Sequence, residues 1–539
     1  MAHKSFKPSG WLVNRSNSVF NLGNRSKTNM YSILAVAIAV AVIAYLIPQL
    51  LLHGTQSKDE PCLLDTRVPF LDSAIGILRH GASYLSVVRS KHGISILTLR
   101  MPFQRLYVVY TPNLIRTIQS KANASIFVPD LLDFGMLFSG LNKNSQKMLR
   151  KAFKSEGNGF TTSVHKYLLS GPSLNAATRS AVDRLSASLP NDFFDGREDG
   201  LMYLVQHQLT LAMTGAIYGP ENPYDDPNIE TCWQKFVPGI KHLLYSPFPF
   251  LTACKAMRAR SRVIAAFRKY FAKGGHLEAF PMVAEMHCMN MGHGLSSDEA
   301  AKMEMATSLA MLSSGAVTIF WLIFHILSNE DAVRSIREEL HAVASDEFEA
   351  SDMISRTQVL KLNSIKEQCP ALVAMLNETL RYHSTVINIK QVQQDTKLAD
   401  LYLLKKNAVI MIPGQSIHHN ADIWGASATT FDSTRFLSAS SKKNLASTSA
   451  FRPFGAGATM CPGRHFSTNV ILSLVAMVVL QYDVLPVAGR WAAPTKRNAD
   501  LWNAMPKPDW DVKVKLVKRA EEKTQWKFVW DDATQVQKC

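Results

Sequence analysis

One cysteine stands apart from the rest by what surrounds it. Cys461 lies in FRPFGAGATMCPGRHFS, residues 451–467, a stretch rich in glycine and proline that runs into an apolar helix. Gly455, Gly457 and Gly463 allow tight backbone approach and unusual dihedrals. A cysteine beside a helix N-terminus meets free N–H groups and a positive dipole end, which favour a thiolate. A thiolate held in a protein interior is an axial ligand for haem iron that promotes cleavage of the O–O bond. The plainer reading is a structural cysteine in a glycine turn. Two further groups bear on the choice. Glu378-Thr379-Leu380-Arg381 puts an acid and a base three residues apart, on one face of a helix. FDSTRF, 431–436, adds Arg435 about 50 residues later and about 26 before the cysteine.

The loop fits F-x-x-G-x-x-x-C-x-G, with Phe454, Gly457, Cys461 and Gly463 in the defining positions. With the E-x-x-R pair and the later arginine in order, the chain resembles the cytochrome P450 family over roughly residues 60–520. That resemblance implies a mainly α fold with small β-sheets, the cytochrome P450 fold, and a haem b cofactor with Cys461 as the metal ligand. It implies that Phe454, Gly457 and Gly463 shape the cofactor loop, and that Glu378, Arg381 and Arg435 form a structural charge cluster. It also implies oxygen activation with electrons from NADPH through a separate reductase, whose docking surface is acidic.

The chain departs from the family pattern in two places. The position two before the cysteine, usually basic to meet a haem propionate, is Thr459. The early W-x-x-x-R has no tryptophan, and in QKMLR, 146–150, Arg150 is the remaining candidate for a propionate contact. On the distal side the family motif A/G-G-x-D/E-T aligns with Ser314-Gly315-Ala316-Val317-Thr318. Gly315 then makes room for oxygen and Thr318 supplies a hydroxyl, while Val317 stands where an acid is expected. Thr318 also reads as an ordinary helix threonine bonded back to a carbonyl. These departures, with VPFLDSAIGILRHGASYL at 68–85, resemble the branch that holds sterol 7-alpha-hydroxylases and prostacyclin synthase.

Periodicity gives the elements that must hold these residues. Apolar spacing of three and four marks helices at 201–218, 257–272 and, most strongly, 300–328. ISILTLRMPFQRLYVVY, 94–110, reads as two short strands around a turn. Strand-like pieces return between 391 and 415, an apolar helix follows at about 464–480, and VKVKLV at 512–517 alternates like a half-buried strand. Hydrophobic residues make up 47% of the chain and charged residues 19%, an ordinary globular balance that excludes wholesale disorder. The seven cysteines are odd in number and widely spaced, which argues against a disulfide scaffold or a structural zinc site. Most read as buried, inert thiols.

The N-terminus carries a different signal. YSILAVAIAVAVIAYLI, 31–47, continues an uncharged run from Met30 to His53. That is long enough to cross a hydrocarbon core of roughly 30 Å. The thirty polar residues before it are too many for a signal-peptide n-region. The expected organisation is a polar, basic segment at 1–30, one transmembrane anchor at 31–52, and a haem-binding catalytic domain at 60–539. The formal charge of +16 suits an anionic membrane or an acidic protein; scattered basic residues without zinc-finger spacing argue against nucleic acid.

Five basic residues and no acid precede the anchor, which by the charge rule favours a cytosolic N-terminus. The resemblance implies the reverse: a single-pass protein of the endoplasmic reticulum membrane, with its catalytic domain in the cytosol beside NADPH-cytochrome P450 reductase. The reaction expected is monooxygenation of a lipophilic small molecule such as a steroid, a terpenoid or a secondary-metabolite intermediate. A haem-thiolate isomerase or dehydratase acting on a peroxide is the alternative enzyme. A non-catalytic haem-binding protein is the alternative outside catalysis.

Overall fold

The computed structural model describes residues 20–531 apart from 102–103, 130–131, 157–158, 247, 348–355, 438–447, 458–459, 501–502 and 520–523. Thr459 and Cys539 lie outside the described residues. Helices dominate, and three of them with the cysteine helix make the centre. Pro172–Asp192 packs along Leu201–Tyr218, Gly315–Leu327 lies on the latter, and Arg464–Gln481 packs against Pro172–Asp192 and Gly315–Leu327. The cysteine helix is apolar on all sides, and every residue from Asn469 to Leu480 is buried. A helix of that kind belongs inside a large core. It is long and apolar enough to cross a membrane, as is the distal stretch Ser297–Leu327, yet both are mostly buried in the domain.

The 300–328 periodicity corresponds to two helices, Ser297–Leu312 and Gly315–Leu327, broken at Ser313-Ser314. The first starts at Ser296, whose hydroxyl accepts from the Glu299 N–H, so one of the free amides of the first turn is satisfied. Both break residues keep right-handed dihedrals, and Gly315 and Thr318 follow directly in the first turn of the second helix.

The strands form small sheets at the edge of the helical mass. Ile96–Met101 and Gln104–Val109 pair antiparallel, as their sequence predicts. Val409–Pro413 joins them in parallel, Ile387–Val392 pairs antiparallel with it, and Phe127–Pro129 closes the five-stranded sheet. Along Ile387–Val392 burial alternates strictly, with Asn388, Lys390 and Val392 on the buried face. A β-strand places successive side chains on opposite faces, so two polar residues are committed to the interior. Lys513–Lys518 lies between Tyr482–Pro486 and Glu198–Gly200 in a second sheet.

The cysteines differ from expectation. Among the described residues all are free, Cys232 and Cys369 are buried, and Cys62 and Cys288 are exposed. The exposed pair lies on segments with little packed over them, which residue type alone does not reveal.

Candidate active site

A cavity of about 410 Å³ opens between the cysteine loop and the distal helices. The cysteine loop contributes Phe454, Gly455, Cys461, Pro462 and Gly463 to its lining; the distal helices contribute Thr307, Met311, Ser314, Gly315 and Thr318. Strand residues Ile387, Asn388 and Ile389 form a third side. Phe160, Val164, Met213 and Met282 reach it from early helices and make it largely apolar. These last residues carry no motif, and nothing in their spacing distinguishes them from other core positions.

The cysteine loop is built by its backbone. The Cys461 N–H donates to the Phe454 carbonyl at 2.7 Å, closing the loop. Gly455 and Gly457 have φ of 78° and 61°, values that an L side chain rarely adopts. Gly463 differs: its φ is −87°, it caps the cysteine helix, and it needs no special backbone freedom. Burial pushes the Cys461 thiol above its ordinary value, opposed by the Gly463 N–H and the Arg464 charge. The expected helix-end stabilisation of a thiolate is therefore present but smaller than the desolvation penalty. A cationic metal at the sulfur would reverse that balance.

On the distal side the Thr318 hydroxyl donates to the Ser314 carbonyl at 2.9 Å, in the cavity wall. That is the back-bonded geometry of a helix threonine, at the position where the motif asks for a hydroxyl. Val317 is 1% exposed and belongs to the apolar core. Gly315 lines the cavity, and a Cβ there would fall 2.7 Å from Leu209 Cδ2. Its small size thus also serves the close approach of Gly315–Leu327 to Leu201–Tyr218.

Glu378 and Arg381 are fully buried and joined by two bonds of 2.7 Å, Nε to Oε2 and Nη2 to Oε1. Arg381 also donates to the carbonyls of His418, Ala428 and Thr430. Arg435 stands 3.5 Å from Glu378 and donates to the Trp424 and Ser427 carbonyls. All of these acceptor carbonyls lie in 418–430, so the cluster ties one loop to the helix Pro370–His383. None of the three charged residues lines the cavity. Arg150 is exposed on Lys143–Glu156 and does not line it either. Gly457 packs toward Gln119, outside the lining.

A half-buried cysteine, in a loop closed by its N–H on the Phe454 carbonyl, thus shares a largely apolar cavity with Ser314, Gly315 and Thr318. Residues 282–509 match the family model described as Cytochrome P450. Over 508 residues the chain is 29% identical to "Cytochrome P450 monooxygenase nodJ" of Hypoxylon pulicicidum, covering 91% of this chain and 97% of that one. A "Cytochrome P450 monooxygenase" of Gibberella zeae is 25% identical over 88% of this chain and 92% of its own. The "5-beta-cholestane-3-alpha,7-alpha-diol 12-alpha-hydroxylase" of Sus scrofa is 23% identical over 83% and 90%. Residues 282–509 carry the likeness to the cytochrome P450 family, and the chain is an oxidoreductase of the monooxygenase type; its weaker likeness to sterol hydroxylases matches the branch that its sequence resembles.

The family implies a haem iron. The residues present fit one: a cysteine thiol in the cavity wall, a largely apolar lining, and a buried arginine, Arg452, whose Nε and Nη1 have no hydrogen-bond partner among the described residues.

Proposed function

We propose that the protein is a membrane-anchored haem-thiolate monooxygenase that hydroxylates a lipophilic small molecule, a steroid, terpenoid or secondary-metabolite intermediate, with electrons from NADPH passed on by a reductase. The observation that carries this reading is that Cys461 and Ser314, Gly315 and Thr318 line one largely apolar cavity. Cys461 is the proposed iron ligand, with Phe454, Gly457 and Gly463 shaping its loop. When bound, haem supplies oxygen activation. The chain's own contribution is to hold the sulfur, exclude bulk water with apolar walls, and offer the Thr318 hydroxyl as a proton relay. Arg150 is proposed from the family pattern alone, and its exposed position gives that role no support. The helix Ile33–Gly54, whose apolar side chains from Ile33 to Leu51 are exposed where described, supports the anchor. The proposed location is the endoplasmic reticulum membrane, with residues 60–539 as the catalytic domain in the cytosol.

The test is spectral. Reduced protein under carbon monoxide is expected to show the red-shifted Soret band of thiolate-ligated haem, and Cys461→Ala to lose it. A mutant that keeps the band overturns the assignment of the ligand.

A second reading has its own observation. Val317 puts no acid at the distal relay, and Thr318 already spends its proton on the Ser314 carbonyl. An isomerase or dehydratase acting on a peroxide needs no external electrons. Turnover of the native substrate without NADPH or oxygen would favour it. For the monooxygenase, Thr318→Ala is expected to release hydrogen peroxide in place of product while the haem spectrum stays intact. Product per NADPH should fall by as much as about 100-fold, the scale of one lost proton-transfer group. Unchanged coupling would leave Thr318 a packing residue.

A further inference from the structure

The interior beside the cavity holds two cations and, among the described residues, no anion to match them. Arg452, two residues before Phe454, is 1% exposed. Its Nη2 donates to Asn388 Oδ1 at 2.7 Å, and Nε and Nη1 have no partner among the described residues. Its backbone N–H donates to His418 Nε2, which must therefore be an unprotonated nitrogen and offers no counter-charge. Lys390 is 4% exposed and lies on the same face of the strand Ile387–Val392 as Asn388. Its ammonium donates to the Phe127 carbonyl at 3.1 Å. Asn388 and Pro453, the immediate neighbours of Arg452 in space and in sequence, both line the cavity. A buried guanidinium with open donors is costly unless an anion completes it. An arginine fork suits a carboxylate, which can take two parallel bonds.

We propose that Arg452, supported by Lys390, is the carboxylate clamp for a haem propionate in this protein, in place of the basic residue and the tryptophan that the family pattern expects and that Thr459 and Gln146 replace. The inference rests on the haem reading above. The positions of the usual contacts strengthen it. Gln146 spends its amide on the Leu141 carbonyl, and Arg150 is exposed away from the cavity. Asn388 orients the guanidinium by taking one Nη2 hydrogen, and the second Nη2 hydrogen with the neighbouring Nε or Nη1 makes the two-bond edge for the incoming carboxylate.

The experiment uses full-length protein made in a haem-auxotrophic, haem-permeable host fed either haem or its dimethyl ester. Release of each cofactor is followed by transfer to apomyoglobin, and the propionate-bending band by resonance Raman. Wild type is expected to hold the diacid about tenfold longer than the diester, the size of one lost charge-assisted hydrogen bond. Arg452→Gln is expected to close that gap and shift the propionate band, and Arg452→Lys to restore part of it. If Arg452→Gln does not accumulate, Lys390→Gln carries the same comparison with a smaller closure.

Faster loss of both cofactors by one factor, with the diacid preference intact, overturns the clamp and leaves Arg452 a packing residue. Unchanged retention and Raman spectrum, with selective loss of fatty-acid over fatty-ester spectral binding, overturns it in favour of a substrate carboxylate. Failure of the haem reading is distinguishable, because wild type itself would then carry no thiolate-ligated haem.

Discussion

Arg381 grips Glu378 through two parallel bonds of 2.7 Å, and neither side chain reaches solvent. The pair does not face the cavity. Its remaining donors hold the carbonyls of His418, Ala428 and Thr430, so its work is to fasten the loop that precedes the cysteine segment.

Removing the acid alone leaves Arg381 buried without its counter-charge, which costs roughly 3–5 kcal/mol. Glu378→Ala is expected to lower the yield of haem-loaded protein and its thermal midpoint, more than the rate of what remains folded. Haem content per protein and a melting curve measure this. Wild-type values for both would show that the pair is dispensable. Arg435→Ala is expected to cost less, since Arg435 meets Glu378 only at 3.5 Å and its other bonds go to one loop.

Glu304 supplies a pH dependence. It is buried on Ser297–Leu312, and the Tyr218 hydroxyl donates to it at 3.0 Å. Burial pushes its carboxyl up to about 7. The folded state then binds a proton that the unfolded chain, with an ordinary value of 4.5, has already released. Stability from this group is full below pH 4.5 and falls as pH rises toward 7. The whole loss is about 3 kcal/mol. Glu304→Gln keeps the shape without the titration, so its thermal midpoint is expected to change less than wild type's between about pH 5 and 8, the window that brackets the shift. Parallel curves for the two proteins would refute the assignment.

Gly315 tests the packing of the distal helix. An added methyl meets Leu209 Cδ2 at 2.7 Å, and Leu209 is itself 1% exposed. Overpacking of this kind costs about 1–3 kcal/mol. Gly315→Ala is expected to lower the thermal midpoint, and Leu209→Val in the same chain to recover part of the loss. Strict additivity of the two substitutions would mean that they do not touch.

The parts legible in the sequence are those whose chemistry is local. The loop around Cys461, the Glu378–Arg381 pair and the strands at 96–109 each depend on residues a few positions apart. The break at Ser313-Ser314 was not legible, because the apolar period runs through it without interruption. Nor was the aromatic and histidine cluster behind the E-x-x-R helix. There His325 Nε2 lies 2.8 Å from His383 Nε2, and Lys496 Nζ lies 3.1 Å from His383 Nδ1. Burial depresses His325 to about 3 and Lys496 to about 8. These three residues come from distant parts of the sequence, and only the tertiary fold makes them neighbours. Arg452 stands within the cysteine loop, but its meaning depends on Asn388 and Lys390, which come from a strand much earlier in the chain.

Membrane orientation is the prediction on which two physical arguments conflict. The basic residues before the anchor favour a cytosolic N-terminus, whereas the proposed electron supply requires a cytosolic domain. The connection between anchor and domain is short. Arg105 donates to the Thr55 carbonyl at 2.7 Å, Arg100 donates to the Thr55 hydroxyl at 3.0 Å, and Leu52 is already buried. The domain therefore starts where the apolar helix ends, and with that helix in a membrane it would lie at the surface on whichever side it emerges. The charge rule is a bias counted over both flanks, and the far flank mixes Lys58 and Arg67 with Asp59, Glu60 and Asp65. Requirement for a cytosolic reductant is the stronger constraint, so the N-terminus is expected in the lumen. Three sequons report on it: Asn14 and Asn24 before the anchor and Asn123 after it. Protease added to intact microsomes should digest the domain beyond residue 60 and leave Asn123 unglycosylated. The Asn123 amide donates to the Thr117 carbonyl at 2.9 Å within the fold, so a glycan there would have to be attached before the domain folds, and protease access is the primary readout. A protease-resistant domain bearing a glycan at Asn123 would place it in the lumen and remove the proposed reductase from its reach.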